Sequence, residues 1–213
     1  MSANISQLNK DKPKKIAVIG IGNVGGALAG RWKSAGHQIL IGSRNPENIN
    51  SDYTTLTIQD AARQADIILV ATPGKAMPQV ATSIGSIPGK IIIDATNSIG
   101  VSPEEKKPFE ILKNVTGGDV VKAFNTTGFE NMANPVYDTE YGQIAIDLFM
   151  AGGSPAAKEA VKQLAGHAGF GEVWDMGNDE KVPHVEAMAF AWINLAIIQK
   201  QGRNIALKMI RRK

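Results

Sequence analysis

The run KIAVI passes directly into GIGNVGGALAGRWKSAG, and no other stretch limits the fold so strongly. GIGNVG (20–25) spaces its glycines as G-x-G-x-x-G, between a β-branched run and a segment whose apolar residues recur at helical spacing until Gly36. Such a junction opens a βαβ unit. Gly20 makes the tight turn, Gly22 leaves the helix N-terminus bare, and Gly25 lets helix and strand approach. Free N–H groups and the helix dipole there favour an anion, which in this motif is the pyrophosphate of a dinucleotide. Gly20, Ile21, Gly22, Asn23, Val24 and Gly25 are the candidate contacts.

The same alternation continues along the chain. HQILIG (37–42), a short run near Thr55–Thr57, ADIILVA (65–71), KIIIDAT (90–96), DVVKAFN (119–125), QIAIDLFMAG (143–152) and GEVWDMG (171–177) read as strands, the last closing the sheet. Helices are predicted over Ile58–Ala65, over Ala76–Ile84 and in SPAAKEAVKQLAGHAG, where Ser154 caps and Pro155 follows. Asn45 before Pro46 reads as another N-cap, and two prolines in VSPEEKKPFEILKN predict a short or irregular helix. The fold class is α/β: a Rossmann-like, doubly wound, mainly parallel sheet with a short C-terminal helical extension. Residues 1–13 are expected to form a flexible tail, 14–178 the dinucleotide-binding domain, and 179–213 an apolar helix followed by a basic amphipathic one.

Composition removes several classes of chemistry. The 213 residues include no cysteine, which excludes disulfides, thiolate zinc sites, iron–sulfur clusters and a cysteine nucleophile. His37, His167 and His184 are too scattered for metal-ligand spacing, so no metal is expected. The formal charge of +3 gathers at the chain ends, which does not make a nucleic-acid surface. The start is polar and lacks the apolar core of a signal peptide. AMAFAWINLAII is too short to span a bilayer and is broken by Asn194, so no membrane association and a cytoplasmic location are expected.

GSRNP (42–46) follows the second strand, where an NAD-selecting site keeps a carboxylate for the ribose 2′-hydroxyl. This chain has Gly42 there, followed by Ser43, Arg44 and Asn45. A carboxylate would repel a 2′-phosphate, whereas an arginine offers it a planar fork and a serine adds a hydrogen bond. The combination predicts NADP(H). At the nicotinamide end, Ala71, Thr72 and Pro73 form a rigid wall, and Thr96, Asn97, Asn125 and Thr126 supply short polar groups at strand tips. In the apolar helix Met188, Ala191, Trp192 and Leu195 share one face while Phe190, Ile193 and Ile197 line another. A helix apolar on several sides needs more cover than one sheet. It is expected to make a homodimer contact and to wall the acceptor pocket, with Trp192 in contact with the acceptor.

GIGNVGGALA, IGSRNP, ATP, DATN, VKAFNT and the closing HVEAMAFAWINLAIIQKQGRNIALKMIRR together resemble the NADP oxidoreductases that use the deazaflavin coenzyme F-420. They are equally similar to the cytosolic NADPH domain of the six-transmembrane metalloreductases, and more weakly to the N-terminal domain of pyrroline-5-carboxylate reductases. The resemblance implies hydride transfer between NADPH and a small electron acceptor, as in a flavin reductase. In the deazaflavin enzymes the strand matching KAFNT carries a histidine near the acceptor, where this chain has Asn125. Deazaflavin, FMN, FAD or another small acceptor therefore remain open. Hydride transfer to such an acceptor needs juxtaposition and exclusion of water more than an acid or base. Lys75, Lys122 and Tyr141 are conceivable proton donors, but each reads as a surface or strand residue and no catalytic residue is assigned. A non-catalytic NADP(H)-binding module that senses redox state or partners another protein is the alternative function.

Overall fold

The computed structural model describes residues 12–49, 52–99 and 107–212. Six strands form one parallel sheet in the order β3-β2-β1-β4-β5-β6. They are β1 (Lys15–Ile19), β2 (Gln38–Ser43), β3 (Thr54–Thr57), β4 (Ile67–Val70), β5 (Ile91–Asp94) and β6 (Asp119–Lys122). The central strands are apolar on both faces, as expected where helices cover both sides. The order reverses between β1 and β4, and the crevice beyond the carboxyl ends of those strands is where open α/β sheets bind ligands.

On one face lie α1 (Asn23–Ser34) and α6 (Pro155–Ala168), sharing a core with β1, β4 and β6. Trp32 is fully buried there and donates its indole N–H to Leu164 O at 2.9 Å, pinning α1 to α6. Burial of a side chain this large contributes about 3 kcal/mol. On the other face α2 (Ile58–Gln64), α3 (Met77–Ile84), α4 (Pro108–Thr116) and α7 (Val182–Ile193) build a second core. The short α5 (Phe129–Ala133) follows β6 and packs on α1. Ser154 caps α6 by accepting from Ala157 N, as expected. Asn45 makes no side-chain cap; Pro46–Asn48 is a single 3-10 turn, and Asn45 N donates to Ser43 Oγ instead.

Two expectations fail beyond β6. Residues 143–152 do not make one strand: β7 (Val136–Thr139) and β8 (Gly142–Ala145) form a hairpin, while β9 (Leu148–Met150) pairs in parallel with β10 (Val173–Asp175) in a separate ribbon. Asp147 divides β8 from β9, its carboxylate accepting from Glu172 N, Met209 N, the Trp174 indole and Lys208. The 171–177 segment therefore does not close the main sheet. Among the described residues that ribbon reaches it through one bridge, between Lys122 and Ala151, after which Gly152 and Gly153 turn away at positive φ.

The basic helix expected at the end is also absent among the described residues. After α7 a π-helical turn covers Asn194–Ile198, Lys200 and Gly202 adopt left-handed φ of 57° and 87°, and residues 199–212 run without helix. This segment finds partners across the fold rather than within itself. Ile205 O accepts from both the Trp192 indole and Asn131 Nδ2, and Leu207 O accepts from Asp147 N.

Candidate dinucleotide site

At the β1–α1 turn the glycines divide their work. A Cβ on Gly25 would lie 2.0 Å from Gly20 O, so only glycine permits that approach of helix to turn. Gly20 has φ +97°, and a Cβ there would meet Ala71 O at 2.6 Å. Gly22 is different: nothing lies within 4 Å of its Cβ position, leaving open space at the N-terminus of α1. No acidic residue occupies the first turn of α1, so nothing competes with an anion for the free N–H groups.

From this turn a cleft of about 220 Å³ runs between the ends of β1 and β2, lined by Gly20, Ile21, Ser43, Arg44, Thr72 and Pro73 with Ile49, Ile58 and Val80. Its apolar floor and shape suit an adenosine. Beside it a polar recess of about 540 Å³ is edged by Ser43, Arg44, Thr57, Gln59, Gln79, Thr82 and Ser83, with no carboxylate among these residues. Arg44 is exposed and makes one long contact, Nη1 to Gln79 Oε1 at 3.4 Å. Most of its guanidinium remains free to meet a phosphate. Gly42, where an NAD site would keep its acid, is buried; a Cβ there would come 3.1 Å from Ile19 Cγ1. The tip of β2 therefore packs closely on β1, and a side chain there would press on Ile19.

A third cleft of about 390 Å³ continues from Thr72 and Pro73 across Asn23, Val24, Ala71, Gly74, Thr96, Asn97 and Ile99. Because Thr72 and Pro73 border both clefts, one extended ligand can pass from the adenosine end to this one. Thr96 contributes shape rather than polar contact. It is 2% exposed, its hydroxyl donates to Asp94 Oδ1 at 2.7 Å, and its carbonyl accepts from Lys122 Nζ at 2.5 Å.

Asn125 is buried and does not itself line this cleft, but it backs the lining residue Asn97 for a backbone reason. Phe124, fully buried between Trp32 and Phe170, has φ 66°, a left-handed conformation costly for a residue with a Cβ. That turn redirects the chain just past β6 and aims Asn125 at β5, where Nδ2 donates to Asn97 Oδ1 at 3.3 Å. Two buried side-chain oxygens beside this cleft, Thr72 Oγ1 and Asn125 Oδ1, have no protein partner. Buried polar atoms are nearly always hydrogen-bonded, so two orphans past the tips of β4 and β6, which flank β5, fit a ligand that supplies donors.

Other expected contacts lie farther out. Thr126 is buried and does not line the cleft. Trp192 is 4% exposed, packs on the Gly128 backbone and gives its indole N–H to Ile205 O. Of the conceivable proton donors, Tyr141 is 85% exposed in the β7–β8 turn and Lys75 is exposed, whereas Lys122 is wholly buried. Lys122 with its partners Asp94 and Glu186 is the feature sequence reasoning missed. The available signal was a single charge inside the otherwise apolar VVKAF, which is unusual unless paired.

Fold and cleft together define a Rossmann domain of the kind that binds nicotinamide dinucleotides, with the strand order 3-2-1-4-5-6 and a tip suited to the phosphorylated form. Among the described residues no helix is long and apolar enough to cross a membrane, and no cluster of residues could hold a metal ion.

Comparison with known proteins narrows the class. Residues 15–98 match the model of the family described as NADP oxidoreductase coenzyme F420-dependent. A crystal structure from Arthrobacter sp. FB24, described as a candidate F420-dependent NADP-reductase, superposes with a TM-score of 0.79 at 26% identity, covering 93% of this chain and 100% of that one. Rat metalloreductase STEAP3 is 25% identical over 87% of this chain, which spans 38% of that protein's length. A reductive aminase from Aspergillus terreus, solved with NADPH and ethyl levulinate, shares the fold with a TM-score of 0.61 at 17% identity, over 86% of this chain and 62% of its own. The likeness to the F-420-dependent NADP oxidoreductases and the metalloreductase domain therefore holds.

Proposed function

We propose that the chain is an NADPH-dependent oxidoreductase that transfers a hydride between NADP(H) and a small, flavin-type electron acceptor. The observation that carries this is the tip of β2: a mostly unengaged guanidinium at Arg44 beside a recess of hydroxyls and amides without a carboxylate. A 2′-phosphate fits there, the pyrophosphate fits over Gly22, and the nicotinamide falls between Pro73 and Asn97. At that end the residues bind and orient rather than react. Pro73 and Ile99 exclude water, while Thr72 Oγ1 and Asn125 Oδ1 accept hydrogen bonds from ribose and carboxamide. Ser43 and Asn45 help hold the phosphate. The acceptor would approach past Asn125 and Thr126, with Trp192 behind them. A homodimer and a cytoplasmic location go with this reading.

Steady-state NADPH oxidation with FMN, FAD, deazaflavin and ferric chelates tests it. Turnover with a flavin-type acceptor, and preference for NADPH over NADH, are the expected results. A second reading rests on the absence of any ionisable side chain among the described residues lining the nicotinamide cleft. Binding of NADPH without turnover on any acceptor would make the chain a non-catalytic redox-sensing or partner-binding module.

A further inference from the structure

Directly behind the nicotinamide cleft lies a buried charge cluster that the hydride chemistry does not by itself require. Lys122 Nζ is 3.1 Å from Asp94 Oδ2 and 3.1 Å from Glu186 Oε1, and the side chains of Lys122 and Asp94 are 0% exposed. Asp94 is held further by Thr96 N and Thr96 Oγ1, and Glu186 Oε2 accepts from Ser98 Oγ at 2.7 Å. The cluster thus grips both sides of Thr96–Asn97, the segment that walls the cleft.

We propose that this cluster tunes the site toward the oxidised nicotinamide, with Glu186 supplying the decisive charge. The proposal rests on the dinucleotide reading given above. Among the described residues two carboxylates pair with this ammonium, a local formal excess of one negative charge. Within a protein a charge is weakly screened and acts over several ångströms. The reduced nicotinamide ring is neutral and the oxidised ring carries a positive charge. An excess negative charge behind the wall therefore stabilises the oxidised form relative to the reduced one.

The same field assists hydride donation, because positive charge develops on the ring as the C4–H bond breaks. In that step the dihydronicotinamide loses two electrons and a proton as hydride. The flavin-type acceptor gains them through a new bond to hydrogen and takes a further proton from solvent. Burying an ion pair is costly in itself, so a cluster with one carboxylate too many needs a reason beyond stability.

The test compares dissociation constants for NADP+ and NADPH, measured by calorimetry and by nucleotide fluorescence. Glu186→Gln keeps the shape and removes the charge. It should raise the ratio Kd(NADP+)/Kd(NADPH) by about three- to tenfold, mostly through weaker NADP+ binding. Glu186→Asp keeps the charge and should leave the ratio within about twofold of the unsubstituted protein. If Glu186→Gln weakens both forms equally, or leaves the ratio alone, the proposal is overturned while the dinucleotide reading stands. If Glu186→Asp moves the ratio as far as Glu186→Gln, geometry rather than charge is responsible and the proposal is again overturned. Failure of the unsubstituted protein to bind either form would overturn both.

Discussion

Asn125 Nδ2 donates to Asn97 Oδ1 at 3.3 Å, joining the chain just past β6 to the chain just past β5, and Asn125 Oδ1 stays buried without a protein partner. The pairing leaves the asparagine with one satisfied and one waiting group at the place where a carboxamide would lie. Asn125→Leu keeps the volume and removes both. Affinity for NADPH is expected to fall about tenfold, with a smaller effect on thermal stability because the orphaned acceptor is removed along with the donor. Fluorescence titration beside a melting curve checks this; unchanged affinity would mean that Oδ1 meets no ligand.

Arg44 offers the sharper test of cofactor choice. Among the described residues its one hydrogen bond is the long one to Gln79, so its loss should scarcely affect the fold. Arg44→Ala is expected to weaken NADPH binding by about 1.5–3 kcal/mol, roughly tenfold to a hundredfold. NADH binding should change little. Equal weakening of both nucleotides would remove the guanidinium from the phosphate site.

Glycines 22 and 25 separate ligand binding from folding. At Gly22 a methyl group meets no protein atom but enters the space a pyrophosphate would fill. Gly22→Ala should therefore keep stability within about 1 kcal/mol and lose affinity for the dinucleotide. At Gly25 the same methyl falls 2.0 Å from Gly20 O, and Gly25→Ala should lower the melting temperature as well.

Asp147 predicts an acid limb in stability. Burial pushes its carboxyl up, but hydrogen bonds from Lys208, Met209 N, the Trp174 indole and Glu172 N outweigh burial and hold it below the ordinary value of 3.8. A carboxyl that binds its proton less tightly when folded stabilises the native state above the unfolded value and loses that contribution as pH falls through the folded one. Urea midpoints should thus decline below about pH 4, and Asp147→Asn should flatten that decline while lowering stability at neutral pH by about 1–3 kcal/mol. A parallel decline in the variant would place the acid limb elsewhere.

The outer side of α7 and the π-helical turn after it leave Phe190, Leu195, Ile197 and Ile198 exposed. Sedimentation equilibrium is expected to show a dimer, because a contiguous apolar face favours association. Phe190→Glu should dissociate it; a monomer at high protein concentration would leave this face to the acceptor alone.

What could be read from the chain alone is what neighbouring residues decide. GIGNVG needs its glycines within one turn, GSRNP shows its missing acid at the tip of one strand, and Ser154 caps a helix three residues away. The β-branched runs alternate with helical ones along the chain, so the parallel sheet followed from spacing. The C-terminal stretch misled for the complementary reason. Its basic amphipathic pattern favours a helix locally, yet the Trp192 and Asn131 side chains reach Ile205 O and Asp147 reaches Met209, and these tertiary bonds hold the backbone open.

The pairings that make the site were settled only in three dimensions. Lys122 reads locally as one charge in a strand, and Ser98 meets Glu186 across 88 residues of sequence. A buried charge is tolerated only where the fold brings partners to it. The left-handed turn at Phe124 likewise persists because Trp32 and Phe170 close around its ring, and neither lies near it in the chain. Short-range spacing determined the scaffold and the phosphate end, since dihedral preference and helix caps act within a few residues. Desolvation, which acts only once distant segments have packed, determined how the nicotinamide end is wired.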